Sequence, residues 1–180
     1  YLRRVYPVIK GSVTFFMDFL IEHPNGKWLL TNPSNSPENP PQAPGYEYFF
    51  DEVTGFYYFT TICYGASMDM QILTDLFGYY LEASKVLGCD QIYARKVQAA
   101  RERLVPPQIG KDGTLQEWSE DYDQLEDKHR HFSHMYGLFP GNVISAKRTP
   151  EFIDGCKRVL VCPYHGWSYA LNGQLKNIPH

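Results

Sequence analysis

Between positions 32 and 41 the chain reads Asn-Pro-Ser-Asn-Ser-Pro-Glu-Asn-Pro-Pro. Four prolines in ten residues exclude helix and strand interiors, because proline lacks an N–H and its ring fixes φ. Whatever the fold, this stretch is a loop, and its stiff backbone is suited to aiming one ionisable side chain, Glu38. The rest of the chain has to supply the body that holds it.

That body reads as mainly α. Val5, Val8, Ile9, Val13, Phe16, Phe19 and Leu20 recur near the helical period and predict a core helix over Val5–Glu22, ended by His23-Pro-Asn-Gly26. Trp28–Thr31 follows as a short extended piece. Ser67 is placed to cap an amphipathic helix from Met68 to Leu87, with Asp69 near its positive end and Gly88 as its stop. A charged helix over Gln91–Leu104 closes at Pro106-Pro107, a short one is expected over Phe132–Phe139, and Thr149-Pro-Glu151 opens another to about Leu160. Tyr46–Tyr64, rich in Tyr, Phe, Thr and Val, reads as a hairpin-like excursion, and Asn172-Gly173 is a turn between β-like runs.

Composition narrows the class of partner. The 180 residues suffice for one sizeable core at 43% apolar content. Aromatic rings, 14 Tyr, 11 Phe and 3 Trp, serve a core or line a sugar-binding cleft, and composition does not choose between these. A net charge of −3 with no basic run argues against nucleic acid, and the longest apolar run, Val13–Ile21, contains Asp18 and is too short to span a membrane. Cys63, Cys89, Cys156 and Cys162 form no Cys-x-x-Cys pair, so the redox compartment stays open. Starting at Tyr1 without Met or a leader-like segment, the chain reads as a fragment, and its localisation is unknown.

Ionisable groups concentrate after the Gly110-Lys-Asp-Gly113 turn, where Glu117, Glu120, Asp121 and Asp123 flank Trp118, and continue to His129, His131 and His134. Cleaving a glycosidic bond needs one carboxylic acid to protonate the leaving oxygen and a second group opposite to activate water or attack. Glu38 and the acids near Trp118 lie in separate loops that could face each other, and burial beside an indole would favour a protonated acid. Against this stands the ordinary expectation that acids between helices are solvated. The His-x-His pair lacks a third ligand at a familiar zinc spacing, which makes hydrogen bonding to carboxylates or a polyhydroxylated ligand the better use of the histidines.

Four ordered blocks carry a resemblance: Trp28-Leu-Leu-Thr-Asn-Pro-Ser-Asn-Ser-Pro-Glu-Asn39, Met68-Asp-Met-Gln-Ile-Leu-Thr-Asp-Leu-Phe77, Ile109-Gly-Lys-Asp-Gly-Thr-Leu-Gln-Glu-Trp118, and His129-Arg-His-Phe-Ser-His-Met-Tyr-Gly-Leu-Phe-Pro-Gly141. Over about residues 6–160, within a domain taken as 1–160, the chain resembles part of the catalytic domain of glycoside hydrolase family 95, the inverting α-L-fucosidases, particularly fungal ones. The resemblance implies a partial (α/α)6 six-hairpin barrel acting on fucosylated glycans without a cofactor, secreted if it follows the fungal family. It implies Glu38 as general acid and an acid near Trp118 in support of the base, placed at Asp121 with Glu117 as rival. Asn32, Asn39, Trp118, His129, His131 and His134 are the expected substrate contacts. The family's water-activating asparagines lie upstream of the matching blocks, so turnover by this chain alone is not expected.

Residues 161–180 carry a different resemblance. Cys162-Pro-Tyr-His165-Gly-Trp is similar to the second half of a Rieske domain, in which Cys162 and His165 would be half of a [2Fe–2S] ligand set. No upstream Cys-x-His supplies the other half. Two alternatives to the hydrolase therefore stand at this stage, an iron–sulfur oxidoreductase and a non-catalytic carbohydrate-binding remnant.

Overall fold

The computed structural model describes residues 1–37, 39–42, 49–58, 61–124, 131–159, 168–169 and 175–177. Helix α1, Leu2–Phe19, leads into strand β1, Leu20–Glu22, which pairs antiparallel with β2, Leu29–Thr31, across a turn that uses Gly26 at φ 70°. The helix thus ends three residues short of the span expected from its periodicity. Leu20, Ile21 and Glu22 instead bond to β2, whose far edge is held by Leu29 N–H donating to the Arg103 carbonyl at 2.6 Å.

Short pieces follow: β3, Ser34–Asn35; β4, Pro41–Gln42; the hairpin strands β5, Phe49–Asp51, and β6, Phe56–Tyr58; and β7, Ile62–Cys63. Strand β7 pairs back onto β3, so the proline loop is tied at its start to the segment that enters the next helix. Helix α2, Ser67–Leu87, stops where Gly88 takes φ 67°, and α3 runs Gln91–Glu102. Strand β8, Asp123–Gln124, pairs with β4. In place of the short helix expected over Phe132–Phe139 there is a 3-10 turn, Ser133–Met135; a second 3-10 turn, Pro150–Phe152, leads into α4, Ile153–Val159, and β9, Ser168–Tyr169, pairs with β10, Leu175–Asn177.

Helix α2 is the centre. Met70, Leu73, Phe77 and Tyr80, spaced three, four and three residues apart, are each at most 2% exposed and meet Val13 of α1 and Val97 of α3. Tyr6 stacks on Tyr80 with ring centroids 5.7 Å apart, which fixes the crossing of α1 on α2. Not every residue of the α1 pattern turns inward, since Val8 is 71% exposed. A second cluster, Leu115, Met135, Ile144, Ile153 and Cys156, lies under the loop layer, and Trp118 joins Cys63 and Ala66 in a third. Among the described residues no helix is long and apolar enough to cross a membrane.

Ser67 does not cap α2. It is the first helical residue, after Ala66, and its hydroxyl accepts from the Gln71 side chain at 3.1 Å. The helix end is satisfied differently: Ala66 N–H donates to Ser34 Oγ at 3.0 Å and Ser67 N–H to the Glu117 carbonyl at 2.9 Å. Asp69, in the first turn, accepts from Thr31 Oγ1 at 3.1 Å and Ser34 Oγ at 2.7 Å. Contacts from two distant loops replace the local cap expected from sequence.

Candidate active-site loops

The second buried face of α2 is polar. Ser67, Gln71 and Asp75, four residues apart, are 8%, 1% and 9% exposed. Each engages the loops carrying the ionisable residues. Gln71 donates from Nε2 to the His134 carbonyl at 2.8 Å and accepts the Gly137 N–H on Oε1 at 2.5 Å; Asp75 accepts the Asn142 N–H at 3.0 Å. A helix buried by apolar contacts on one face and by backbone hydrogen bonds on the other gives the loops a rigid reference.

The 110–118 block folds on itself through the Ile109↔Leu115 bridge and Gly113 at φ 79°. Leu115 plugs the second cluster, and Trp118 packs at 2% exposure. Glu117 points inward between them at 3% exposure and gathers a polar network. Its Oε1 accepts from the Ser36 hydroxyl, which also lies 2.8 Å from Ser133 Oγ. Its Oε2 accepts from Asn39 Nδ2 at 2.7 Å and stands 3.6 Å from His134 Nδ1, within ion-pair range. Such a desolvated carboxylate is tolerated because both oxygens have donors.

Asp121 is in another setting. It is exposed, and its carboxylate accepts the Lys111 N–H at 2.8 Å, closing the 110–113 turn from outside. Glu120 bonds to His23 Nε2 at 3.1 Å, while His23 Nδ1 accepts the Asn25 N–H at 3.1 Å. With Nδ1 acting as acceptor, the neutral ring carries its proton on Nε2 and donates it to Glu120.

The structure therefore brings together Glu117, Asn39 and His134 from the expected set, and keeps Asp121 apart from them. Trp118 adjoins Glu117 in the chain and packs beside Tyr122, with rings 6.3 Å apart. Asn39 and Trp118, expected to touch substrate, are packed at 1% and 2% exposure; Asn32 is exposed and His131 half-buried. Glu38, His129, Cys162 and His165 lie outside the described residues. Sequence reasoning missed Ser36, Ser133 and Gln71. The signal for Gln71 was present, because Ser67-x3-Gln71-x3-Asp75 forms a polar stripe on an otherwise apolar helix.

Burial raises the thiol of Cys63, beside Trp118, to about 11. Cys156, in the second cluster, is also raised by burial. Neither is an available nucleophile at neutral pH. Among the described residues no group of three or more His, Cys, Asp and Glu side chains is placed to hold a metal ion.

Comparison with known proteins supplies the family. The Glycosyl hydrolase family 95 catalytic domain matches residues 1–175. Alpha-L-fucosidase 2 of Arabidopsis thaliana is 35% identical over 159 residues, covering 88% of this chain and 17% of the relative. Probable alpha-fucosidase A of Aspergillus niger is 30% identical over 145 residues, covering 78% of the chain and 16% of the relative. The chain belongs to glycoside hydrolase family 95, within its catalytic domain. It spans about a sixth of the length of these relatives, 17% and 16%.

The Rieske resemblance finds no support. The hydrolase match runs on through residue 175, across the Cys162-Pro-Tyr-His165 segment that suggested iron–sulfur chemistry. A short Cys-x-x-His string can arise without a cluster, and the match over the surrounding residues outweighs it.

Proposed function

We propose that this chain forms one wall of the cleft of an inverting α-L-fucosidase acting on terminal fucosides of glycans, built on part of an (α/α)6 barrel. Glu38 is the general acid, giving its proton to the glycosidic oxygen as the bond to fucose breaks. A water on the opposite face of the sugar completes the inverting displacement, activated by groups outside the blocks carried here. The histidine-bearing turn after residue 130 supplies hydrogen bonds to the sugar hydroxyls.

One observation carries this reading. Ser36 and Asn39, on either side of Glu38 in the sequence, are both bonded to the carboxylate of Glu117 in the Gln116-Glu117-Trp118 block. Two of the blocks that mark the family are thereby locked together where a catalytic acid is expected. The two relatives bear names of α-fucosidases, which supports fucose as the sugar.

The test is release of fucose from an alkyl or glycan α-L-fucoside by the full gene product, compared with Glu38→Gln. Loss of a general acid lowers turnover by about 10²–10⁴-fold with circular dichroism unchanged. Wild-type turnover in Glu38→Gln would sink the assignment. The 180-residue chain alone is expected to release none. Fucose binding without release by the full product would instead favour a non-catalytic carbohydrate-binding role.

A further inference from the structure

The geometry points to Glu117 as the positioning residue of the proline loop, acting through Ser36 and Asn39 on the acid between them. This rests on reading Glu38 as the acid. Both carboxylate oxygens of Glu117 are engaged, one by the Ser36 hydroxyl and the other by Asn39 Nδ2 at 2.7 Å. The Asn39 N–H returns to the Ser36 carbonyl at 3.2 Å, so the two anchored residues are also joined to each other. At 3% exposure Glu117 is walled off by the loop it holds. A carboxylate so enclosed has no open face to present to a sugar, which fits a support and not a catalytic residue.

The anchorage on Glu117 is itself fixed on both sides. Its backbone carbonyl accepts from Ser67 N–H at 2.9 Å, at the start of α2, and Trp118 beside it is packed at 2% exposure. The Ser36 hydroxyl is 2.8 Å from Ser133 Oγ, so the anchor also meets the turn that carries His134. Proline restricts the loop but does not fix where its middle points; two bonds to one rigid side chain do.

The chemistry of the contacts separates anchoring from charge. A glutamine at 117 can accept from Asn39 through Oε1. It can donate through Nε2 to Ser36 Oγ, if the Ser36 hydroxyl turns its proton to Ser133 Oγ. Gln keeps both anchors and loses the charge; Leu, of similar bulk, loses both anchors.

Amide hydrogen exchange on the 180-residue chain decides between them. Relative to the amides of α2, exchange at Asn39 in Glu117→Gln is expected within about threefold of wild type, and in Glu117→Leu at least about tenfold faster. Should Glu117→Leu fail to fold, Ser36→Ala and Asn39→Ala each remove one anchor and are expected to give intermediate acceleration. Identical behaviour of the Gln and Leu variants, or no acceleration in either alanine variant, overturns the inference.

A second readout separates positioning from general loosening. In the full gene product Glu117→Leu should lower turnover of an alkyl α-L-fucoside at least about tenfold while sparing a dinitrophenyl fucoside, whose leaving group needs little protonation. Equal loss on both substrates overturns the positioning role. Should Glu38→Gln retain wild-type turnover while the exchange pattern holds, the acid assignment falls and the anchoring stands.

Discussion

Gln71→Met isolates what holds the site loops to the body. The side chains are close in volume, so the change leaves little cavity and its effect is polar. Gln71 is 1% exposed and makes three hydrogen bonds, to the His134 carbonyl at 2.8 Å, the Gly137 N–H at 2.5 Å and Ser67 Oγ at 3.1 Å. Methionine strands the first two, both backbone groups of buried residues, and each such loss costs roughly 1–3 kcal/mol. The Ser67 oxygen loses only one donor and its own O–H is untouched, so the two backbone losses set the sum at about 2–6 kcal/mol. With a urea slope of about 2 kcal/mol per molar, the midpoint should fall by about 1–3 M at constant slope. The Gly137 amide should lose its exchange protection, while that of Leu73 should fall only in step with global stability. A midpoint within about 0.3 M of wild type would refute the claim that α2 holds this turn through Gln71. Gln71→Glu sharpens the comparison, since it keeps an acceptor for Gly137 N–H but sets an oxygen against the His134 carbonyl; it should be no better than methionine.

Two further predictions concern ionisation. Asp90 is held below the usual carboxylate range first by Lys10, at 2.8 Å, and then by the Tyr6 hydroxyl, at 2.8 Å. A lowered folded value gives stability that is present above the unfolded value of about 3.9 and lost as pH falls through the folded one, so Asp90→Asn should cost stability at pH 6 and little near pH 2, read from urea midpoints. Cys63, pushed up to about 11, should resist a thiol reagent at pH 8 in the native chain and react on unfolding. Its raised value also means that this contribution to stability is complete below pH 9 and fades as pH climbs toward 11, where the native thiol ionises. Rapid labelling of native Cys63 would contradict its burial.

The helices were legible because periodicity reports burial. Met70, Leu73, Phe77 and Tyr80 mark a core face by spacing alone, and Gly88 marks its end. The end of α1 was not legible, since Leu20 and Ile21 continue an apolar run with no stop before His23-Pro24, and with Glu22 they leave the helix only because Leu29–Thr31 offers a pairing edge. The site was half legible. Residue types marked Glu38, the acids Glu117, Glu120, Asp121 and Asp123 and the histidines as candidates, and the family resemblance narrowed the acids near Trp118 to Asp121 and Glu117; which of those two stays at the surface depends on which carboxylate the turn at 110–113 captures.

By itself the sequence determined the mainly helical character, the absence of helix at 32–41, and the family, because period, proline content and ordered blocks are local properties; that residues 34–35 and 41 pair as short strands depended on partners far along the chain. Tertiary structure alone decided which acid is buried. Glu117 is drawn inward by donors from residues 36 and 39, some 80 positions away, with |i−j| of 81 and 78, and no local rule reports partners at that distance. A carboxylate leaves water only where such donors already wait, and their placement is set by the packing of α2 against the loops on its polar face.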